Sequence, residues 1–144
     1  MPKDYPDWGA LPQRPNWGTA KRASDSVTVA GTTTDTILTL SLKGLIYSGS
    51  VYILNEVDHQ QDEVSIYIDG NEFFRRDFVN MRDWNETLKF GLPLTLILYD
   101  TLIGNFKVIL QQGIGFDTSF ELKYHNNRDD SALVQYNVYY AEVI

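Results

Sequence analysis

Apolar and polar residues alternate along most of the chain, with a period of two from about residue 25 onward. In segment 64–69, for example, the apolar side chains of Val64, Ile66 and Ile68 are separated by more polar neighbours. A period of two places successive side chains on opposite faces of a β-strand. The pattern predicts strands over residues 27–29, 37–42, 45–54, 64–68, 72–75, 94–99, 106–111, 116–124 and 132–143.

Two other segments carry signals for a turn and a helix. Asp69-Gly70 stands between two strand patterns, and this dipeptide is a strong signal for a two-residue β-hairpin turn. In residues 77–91 the large apolar side chains, beginning with Phe78 and Met81, have roughly helical spacing. This segment is predicted to be a loop with one turn of helix.

The predicted elements together define the fold class. About eight to ten short strands with turn residues between them, and almost no helix, are typical of a β-sandwich or β-barrel. We expect an all-β fold, specifically a jelly-roll-like antiparallel β-sandwich over residues 25–144, because the strands are long and the connections moderate. An immunoglobulin-like sandwich is the second alternative, although the Cys–Trp–Cys pattern of true immunoglobulin domains is absent.

Residues 1–24 differ in composition and are predicted to form an extended N-terminal arm. Four of the five prolines lie here, and proline disfavours both helices and central strands. The turn-like sequence Pro6-Asp7-Trp8-Gly9 is nearly repeated as Pro15-Asn16-Trp17-Gly18. Because Trp is enriched among interface anchors, the arm is expected to insert side chains into grooves on its own body or on a neighbour. The predicted partner-binding residues are Tyr5, Trp8, Leu11 and Trp17.

Charge and composition argue against several classes of partner. The net charge is −7, and an acidic protein is a poor ligand for nucleic acid and for an anionic membrane surface. The longest apolar stretch, residues 92–99, is too short to cross a bilayer, and the N-terminus lacks the apolar segment of a secretory signal. Without cysteine, the chain is expected to have neither disulfides nor a cysteine-ligated metal.

The sequence contains no recognisable pattern of catalytic residues. The two histidines, His59 and His125, adjoin polar loop residues and are predicted to lie at the surface, without forming a metal-ligand cluster. No serine lies in a nucleophile motif, and no glycine-rich phosphate-binding loop is present. Carboxylates near turns are expected to be solvated rather than to form a catalytic pair. We therefore expect no enzymatic activity, no cofactor and no metal site.

Two loop features leave binding functions open. Acidic residues in segment 58–63 and at Asp129 and Asp130 are candidate Ca²⁺ ligands, but solvated loops are favoured because no EF-hand spacing is present. Trp84 is flanked by Arg82 and other polar residues, an arrangement typical of a platform for a sugar ring. Arg82 and Trp84 are thus the candidate glycan-binding residues, and burial of Trp84 in the core is the competing interpretation.

Three stretches of the chain resemble a known group of proteins. Gly44-Leu-Ile-Tyr-Ser-Gly, the hairpin sequence Asp62-Glu-Val-Ser-Ile-Tyr-Ile-Asp-Gly70, and Tyr99-Asp100 before a fresh strand resemble small virion proteins of tailed bacteriophages. That group includes capsid decoration proteins and tail or collar accessory proteins. The resemblance implies a compact β body with an extended arm that ties neighbouring subunits together.

The residues and the resemblance lead to one expected function and one alternative. We predict a non-enzymatic structural virion protein, either a capsid decoration protein or a tail-collar accessory, that is made in the host cytoplasm and located in the virion. Its expected partners are other virion proteins, such as major capsid or tail subunits, and further copies of itself, with neither nucleic acid nor membrane. The alternative is a carbohydrate-binding or receptor-binding β-sandwich module.

Overall fold

Two antiparallel β-sheets form the body of the protein in a computed structural model, which describes residues 17–54, 58–84, 92–110 and 113–144. The described elements are β1 (Lys21–Val29), β2 (Thr34–Leu40), β3 (Gly44–Leu54), β4 (Glu63–Ile68), β5 (Asn71–Asp77), α1 (Phe78–Asp83), β6 (Leu94–Asp100), β7 (Asn105–Leu110), β8 (Ile114–Phe116), β9 (Phe120–His125) and β10 (Ala132–Glu142). The predicted all-β, antiparallel sandwich is confirmed at this level. The jelly-roll arrangement stays a prediction.

The strand order pairs segments that are far apart in sequence. The large sheet has the order β1-β10-β3-β7-β6, and β8 also pairs with β3. β7 and β8 follow one another along the same edge of β3, since Gly49 pairs with Leu110 and Ile46 pairs with Ile114. The small sheet has the order β2-β9-β4-β5. Both sheets therefore depend on contacts between distant parts of the chain.

The core lies between the two sheets and contains the apolar members of the alternating pattern. In the small sheet, Val64, Ile66 and Leu122 are fully buried. The large sheet contributes the buried side chains Ile46, Val51, Ile53, Leu94, Leu96, Phe106, Val108, Val134 and Val138. Burying one such side chain contributes about 1.5–3 kcal/mol. The same alternation that predicts the strands therefore also explains why the sheets pack face to face.

The predicted Asp69-Gly70 hairpin is present between β4 and β5. Asp69 has a φ of 52° and Gly70 a φ of 83°, and positive φ at both central residues is the requirement of a type I′ turn. The Asp69 carboxylate also accepts hydrogen bonds from three backbone N–H groups, of Asp117 at 3.0 Å, Thr118 at 2.7 Å and Ser119 at 3.1 Å. The hairpin is thereby tied to the connection between β8 and β9.

A single helical turn follows β5, as the spacing of apolar residues predicted. The carboxylate of Asp77 caps it by accepting the N–H of Asn80 at 3.2 Å. Phe78 and Met81 are buried, and the ring of Phe78 stacks on Phe106 with centroids 5.0 Å apart. Residues 85–91, the remainder of the predicted loop, lie outside the described residues.

β1 begins earlier than the predicted boundary between arm and body. Lys21, Arg22, Ala23 and Ser24 belong to this strand and pair with β10, although the sequence places them in the arm. The alternation is hard to recognise there because β1 is an edge strand whose first residues are mostly exposed and polar.

None of the helices within the described residues has the length and apolar character that crossing a bilayer requires.

Candidate functional site

Trp17 is the one predicted arm anchor whose position the structure describes. Its backbone forms an antiparallel bridge with Val143, and the N–H of the next residue, Gly18, donates to the carbonyl of Glu142 at 2.7 Å. The indole is half-buried and lines a small cavity of about 200 Å³ together with Lys43 and Phe116. The C-terminal end of the arm is thus attached to the body of its own chain. The other predicted anchors, Tyr5, Trp8 and Leu11, lie outside the described residues.

The candidate glycan platform lies at the C-terminal end of α1. Trp84 is 55% exposed, which is inconsistent with the competing interpretation of a core tryptophan. The guanidinium of Arg76 lies 5.3 Å from the indole centroid. Arg82 lies instead over the ring of Tyr99 at 4.8 Å and pairs with Asp83 at 2.8 Å. The two predicted residues are therefore both at the surface but have different neighbours.

His59 is fully buried, so the prediction of a surface position is wrong. Its Nδ1 lies 2.7 Å from Oδ2 of Asp62, which also accepts the hydroxyl of Tyr124 at 2.6 Å. The other oxygen, Oδ1, accepts the N–H of Asn127 at 2.8 Å. Burial, followed by the neighbouring carboxylate, raises the pKa of Tyr124 well above its ordinary value. This cluster satisfies His59 Nδ1 and both Asp62 oxygens, whereas the buried Nε2 of His59 has no hydrogen-bond partner among the described residues.

His125 is also buried rather than exposed, at the end of β9. Its Nε2 lies 2.8 Å from Oγ of Ser65, and its Nδ1 lies 2.9 Å from Oγ1 of Thr34. Hydroxyl groups donate or accept, so the two of them satisfy a neutral imidazole in either tautomer. Burial and the charge of Arg75 lower the pKa of His125. The ring joins three strands of the small sheet.

Several of the acidic loop residues are bound within the chain. Glu63 forms a hydrogen bond and ion pair with Arg75, which lowers the pKa of the Glu63 carboxyl. Asp58 accepts the N–H of Gln60 at 3.0 Å, and Asp130 pairs with Arg128 at 3.1 Å. Among the described residues, no group of three or more His, Asp or Glu side chains is arranged to hold a metal ion.

An apolar surface at one end of the large sheet was not recognised in the sequence. It consists of exposed side chains on β3, on β6 and in the turn between β6 and β7, and we refer to it as the hairpin surface. Its members are Leu54, Ile97, Leu98, Leu102 and Ile103. Leu102 is 93% exposed at the turn itself. The signal available in the sequence was a Leu-Ile pair between Asp100 and Gly104, where a hairpin turn ordinarily has polar residues.

No protein-family model matches the chain. No curated protein matches it either.

Six chains among solved structures match the chain. One is from the crystal structure of the infectious bursal disease virus VP2 subviral particle, with 15% sequence identity and a TM-score of 0.28. The match covers 92% of this chain and 42% of the viral chain, so this protein spans less than half of that neighbour's length. A similarity this low does not transfer the role of the particle protein to this chain.

Proposed function

We propose that this protein is a non-enzymatic structural protein of a virion, which docks on neighbouring subunits through its N-terminal arm. In this proposal the partners are other virion proteins, such as major capsid or tail subunits, and further copies of the same chain. The location is the virion after synthesis in the host cytoplasm. Decoration of a capsid and accessory binding at a tail or collar are the two forms that the sequence resemblance favours.

The attachment of Trp17 to the body is the observation that carries the proposal. Because the bridge to Val143 and the bond from Gly18 to Glu142 use backbone groups, the point at which the arm joins the sandwich is defined. Residues 1–16 precede this point and contain the first of the two similar sequences, Pro6-Asp7-Trp8-Gly9. An arm with a fixed origin and apolar side chains is well suited to bind an adjacent subunit.

The use of titratable side chains inside the body supports a structural role. His59 and Asp62 are bonded to each other in one buried cluster. His125 forms hydrogen bonds with Ser65 and Thr34. These groups are the ones that an acid–base site would require in an accessible cleft. Here they join loops and strands, which is how a rigid building block is stabilised.

The strand order supports the more specific jelly-roll assignment. β1, β3 and β10 belong to the large sheet, whereas β2, β4 and β9 belong to the small one. Consecutive strands therefore cross between sheets at both ends of the chain. Two interlocked Greek keys have this property, and they form the jelly roll that is common in viral capsid and lectin domains.

A truncation separates the arm from the body. Deleting residues 1–16 leaves Trp17 and its bridge in place, so the shortened protein is expected to unfold at nearly the same temperature as the full chain. The full chain is expected to associate in a concentration-dependent way during sedimentation velocity, and the truncated chain is expected to remain monomeric. Trp8→Ala should weaken association, typically by at least about 2 kcal/mol for an interface anchor.

The matched control is Trp17→Ala, which alters the same residue type on the described body. It is expected to lower the unfolding temperature, whereas Trp8→Ala leaves that temperature unchanged. A full chain that stays monomeric at all concentrations would contradict the homo-oligomeric part of the proposal. A truncation that unfolds the sandwich would show that residues 1–16 complete its core instead.

The exposed indole of Trp84 favours carbohydrate binding as the second candidate function. A ring that is 55% exposed offers an apolar face to a sugar, and Arg76 and Arg82 lie within the same region. If the indole forms the sugar site, Trp84→Ala abolishes glycan binding measured by calorimetry without loss of the folded state. A glycan array without any bound sugar would exclude this candidate.

A further inference from the structure

A polar groove crosses the outer face of the large sheet, away from both Trp17 and Trp84. It has a volume of about 460 Å³. Two neighbouring rows of paired residues line it. One row contains Ser24, Asn137 and Ser50, and the other contains Ser26, Gln135, Tyr52 and Lys107.

The strand pairing gives the groove its dimensions. Directly paired residues point to the same face of a sheet, and adjacent strands lie about 4.8 Å apart. The row from Ser26 on β1 to Lys107 on β7 crosses three strand spacings, so it is about 14 Å long. Two successive rows on one face are about 7 Å apart. These dimensions fit an oligosaccharide of two or three rings.

The floor of the groove has hydrogen-bonding capacity that the described part of the chain does not use. Ser24, Ser50 and Asn137 are small residues between the larger Tyr52 and Lys107. The side-chain Oδ1 of Asn137 is buried and has no hydrogen-bond partner among the described residues. A buried acceptor without a partner costs stability, and a ligand hydroxyl placed on the floor would satisfy it.

The charge of the groove differs from that of the molecule as a whole. Arg22 and Lys107 lie on the two sides of the groove, and neither forms an ion pair within the described ranges. The lining has one carboxylate, Asp25. Two cations against one anion give a local charge of +1 in a chain whose net charge is −7.

We propose that this groove binds an acidic oligosaccharide, with Arg22 and Lys107, at diagonally opposite corners, each contacting a different sugar carboxylate and the amides and hydroxyls of the floor contacting ring hydroxyls. The Tyr52 ring, with the ammonium of Lys107 5.9 Å from its centroid, supplies an apolar surface at one side. A nucleic acid is disfavoured because its many phosphates meet an acidic molecule. An oligosaccharide of two or three rings carries only two or three carboxylates, and these meet the local positive charge of Arg22 and Lys107. The proposal is independent of the arm-mediated assembly.

The test compares acidic sugars with neutral counterparts of the same ring structure. The full chain, labelled with ¹⁵N, is titrated with digalacturonic acid and its methyl ester, and with trigalacturonic acid and its methyl ester. We expect the acidic member of at least one pair to shift the amide signals of Ser50, Gln135 and Asn137, and to bind about tenfold more tightly than its neutral counterpart.

Variants assign the binding to the groove. Each of the substitutions Lys107→Ala and Arg22→Ala is expected to weaken the binding of the acidic sugar about tenfold. Lys123→Ala is the matched control, because Lys123 lies over Tyr67 at 4.1 Å in a similar Lys–Tyr pair on the other sheet. It should leave binding unchanged.

Three results would overturn the proposal. The first is the absence of saturable shifts with either acidic sugar. The second is equal binding of acidic and neutral members of both pairs. The third is binding that is lost in Trp84→Ala but retained in Lys107→Ala, which would place the sugar at the indole platform.

Discussion

At the scale of single residues, several polar side chains form hydrogen bonds within the fold at positions where the sequence predicts that they are solvated. His59 and Asp62 are fully buried and bonded to one another, and His125 is held by two hydroxyls. Asp69 is more accessible, but its carboxylate accepts hydrogen bonds from three backbone N–H groups of another loop. Since hydrogen bonds to a charged acceptor are stronger than neutral ones, the Asp69 carboxylate firmly connects two turns that are distant in sequence.

Substitutions at Asp69 measure this effect. Asp69→Asn keeps an acceptor and tolerates the positive φ, whereas Asp69→Ala loses the acceptor and strains the turn. We expect the unfolding temperature to decrease in the order native, Asn variant, Ala variant. An Ala variant as stable as the native protein would show that the three bonds contribute nothing.

The same residue predicts a pH dependence. The backbone N–H groups of Thr118 and Ser119 lower the pKa of Asp69 below the ordinary value of 3.8. A carboxyl whose pKa is lowered by folding stabilises the native state above its unfolded pKa, and the contribution disappears as the pH falls through the folded value. The difference in unfolding temperature between the native protein and Asp69→Asn should therefore shrink as the pH is lowered below 3.8.

At the scale of elements, loops from opposite ends of the chain are packed against one another. The turn between β1 and β2 meets the connection between β9 and β10: Thr32 N–H donates to the Arg128 carbonyl at 2.8 Å, and Asn126 N–H donates to the Thr33 carbonyl at 2.9 Å. Gly31 is at the closest point, where an added Cβ would overlap the carbonyl of Asp129. This contact is between backbones, so a side chain cannot be accommodated by a change of rotamer.

Gly31→Ala tests how rigid this junction is. Because backbone has to move, we expect a loss of about 1–3 kcal/mol in the free energy of unfolding, as for overpacked sites. Urea denaturation would measure this loss, and the dependence of the free energy of unfolding on urea concentration should be the same for both proteins. Gly115→Ala is the control, since its added Cβ has no neighbour within 4 Å, and it should stay within about 0.5 kcal/mol of the native protein. Equal effects of the two substitutions would argue against a rigid junction.

At the scale of the whole molecule, the two ends of the large sheet have different surfaces. Trp17 and the C-terminal strand meet at one end, where β3 begins, and the hairpin surface lies at the other, where β3 ends. The exposed Leu102 and Ile103 contribute nothing evident to the core. If copies of the chain assemble as proposed, this apolar end is the part of the described body best suited to receive a neighbour's arm.

A double substitution examines that role. Leu102→Asp with Ile103→Asp is expected to leave the unfolding temperature unchanged, because the side chains are 93% and 55% exposed, and to abolish concentration-dependent sedimentation. Phe73→Asp, at an equally exposed apolar residue on β5 of the small sheet, should change neither quantity. Retained association in the double variant would locate the contact elsewhere on the subunit.

The sequence by itself determined the fold class, most strand positions, the Asp69-Gly70 turn and the helical turn at Phe78. These features depend on local periodicity and on backbone preferences of individual residues, which act over a few positions. Only the tertiary structure decided the burial of His59 and His125, the exposure of Trp84, the early start of β1 and the groove across the large sheet. The burial of His125, the early start of β1 and the groove result from the pairing of strands distant in sequence, as when Ser24, Asn137 and Ser50 meet in one row. The burial of His59 depends on its cluster with Asp62 and Tyr124, and the exposure of Trp84 depends on its position at the end of α1. Neither composition nor spacing along the chain records which strands become neighbours.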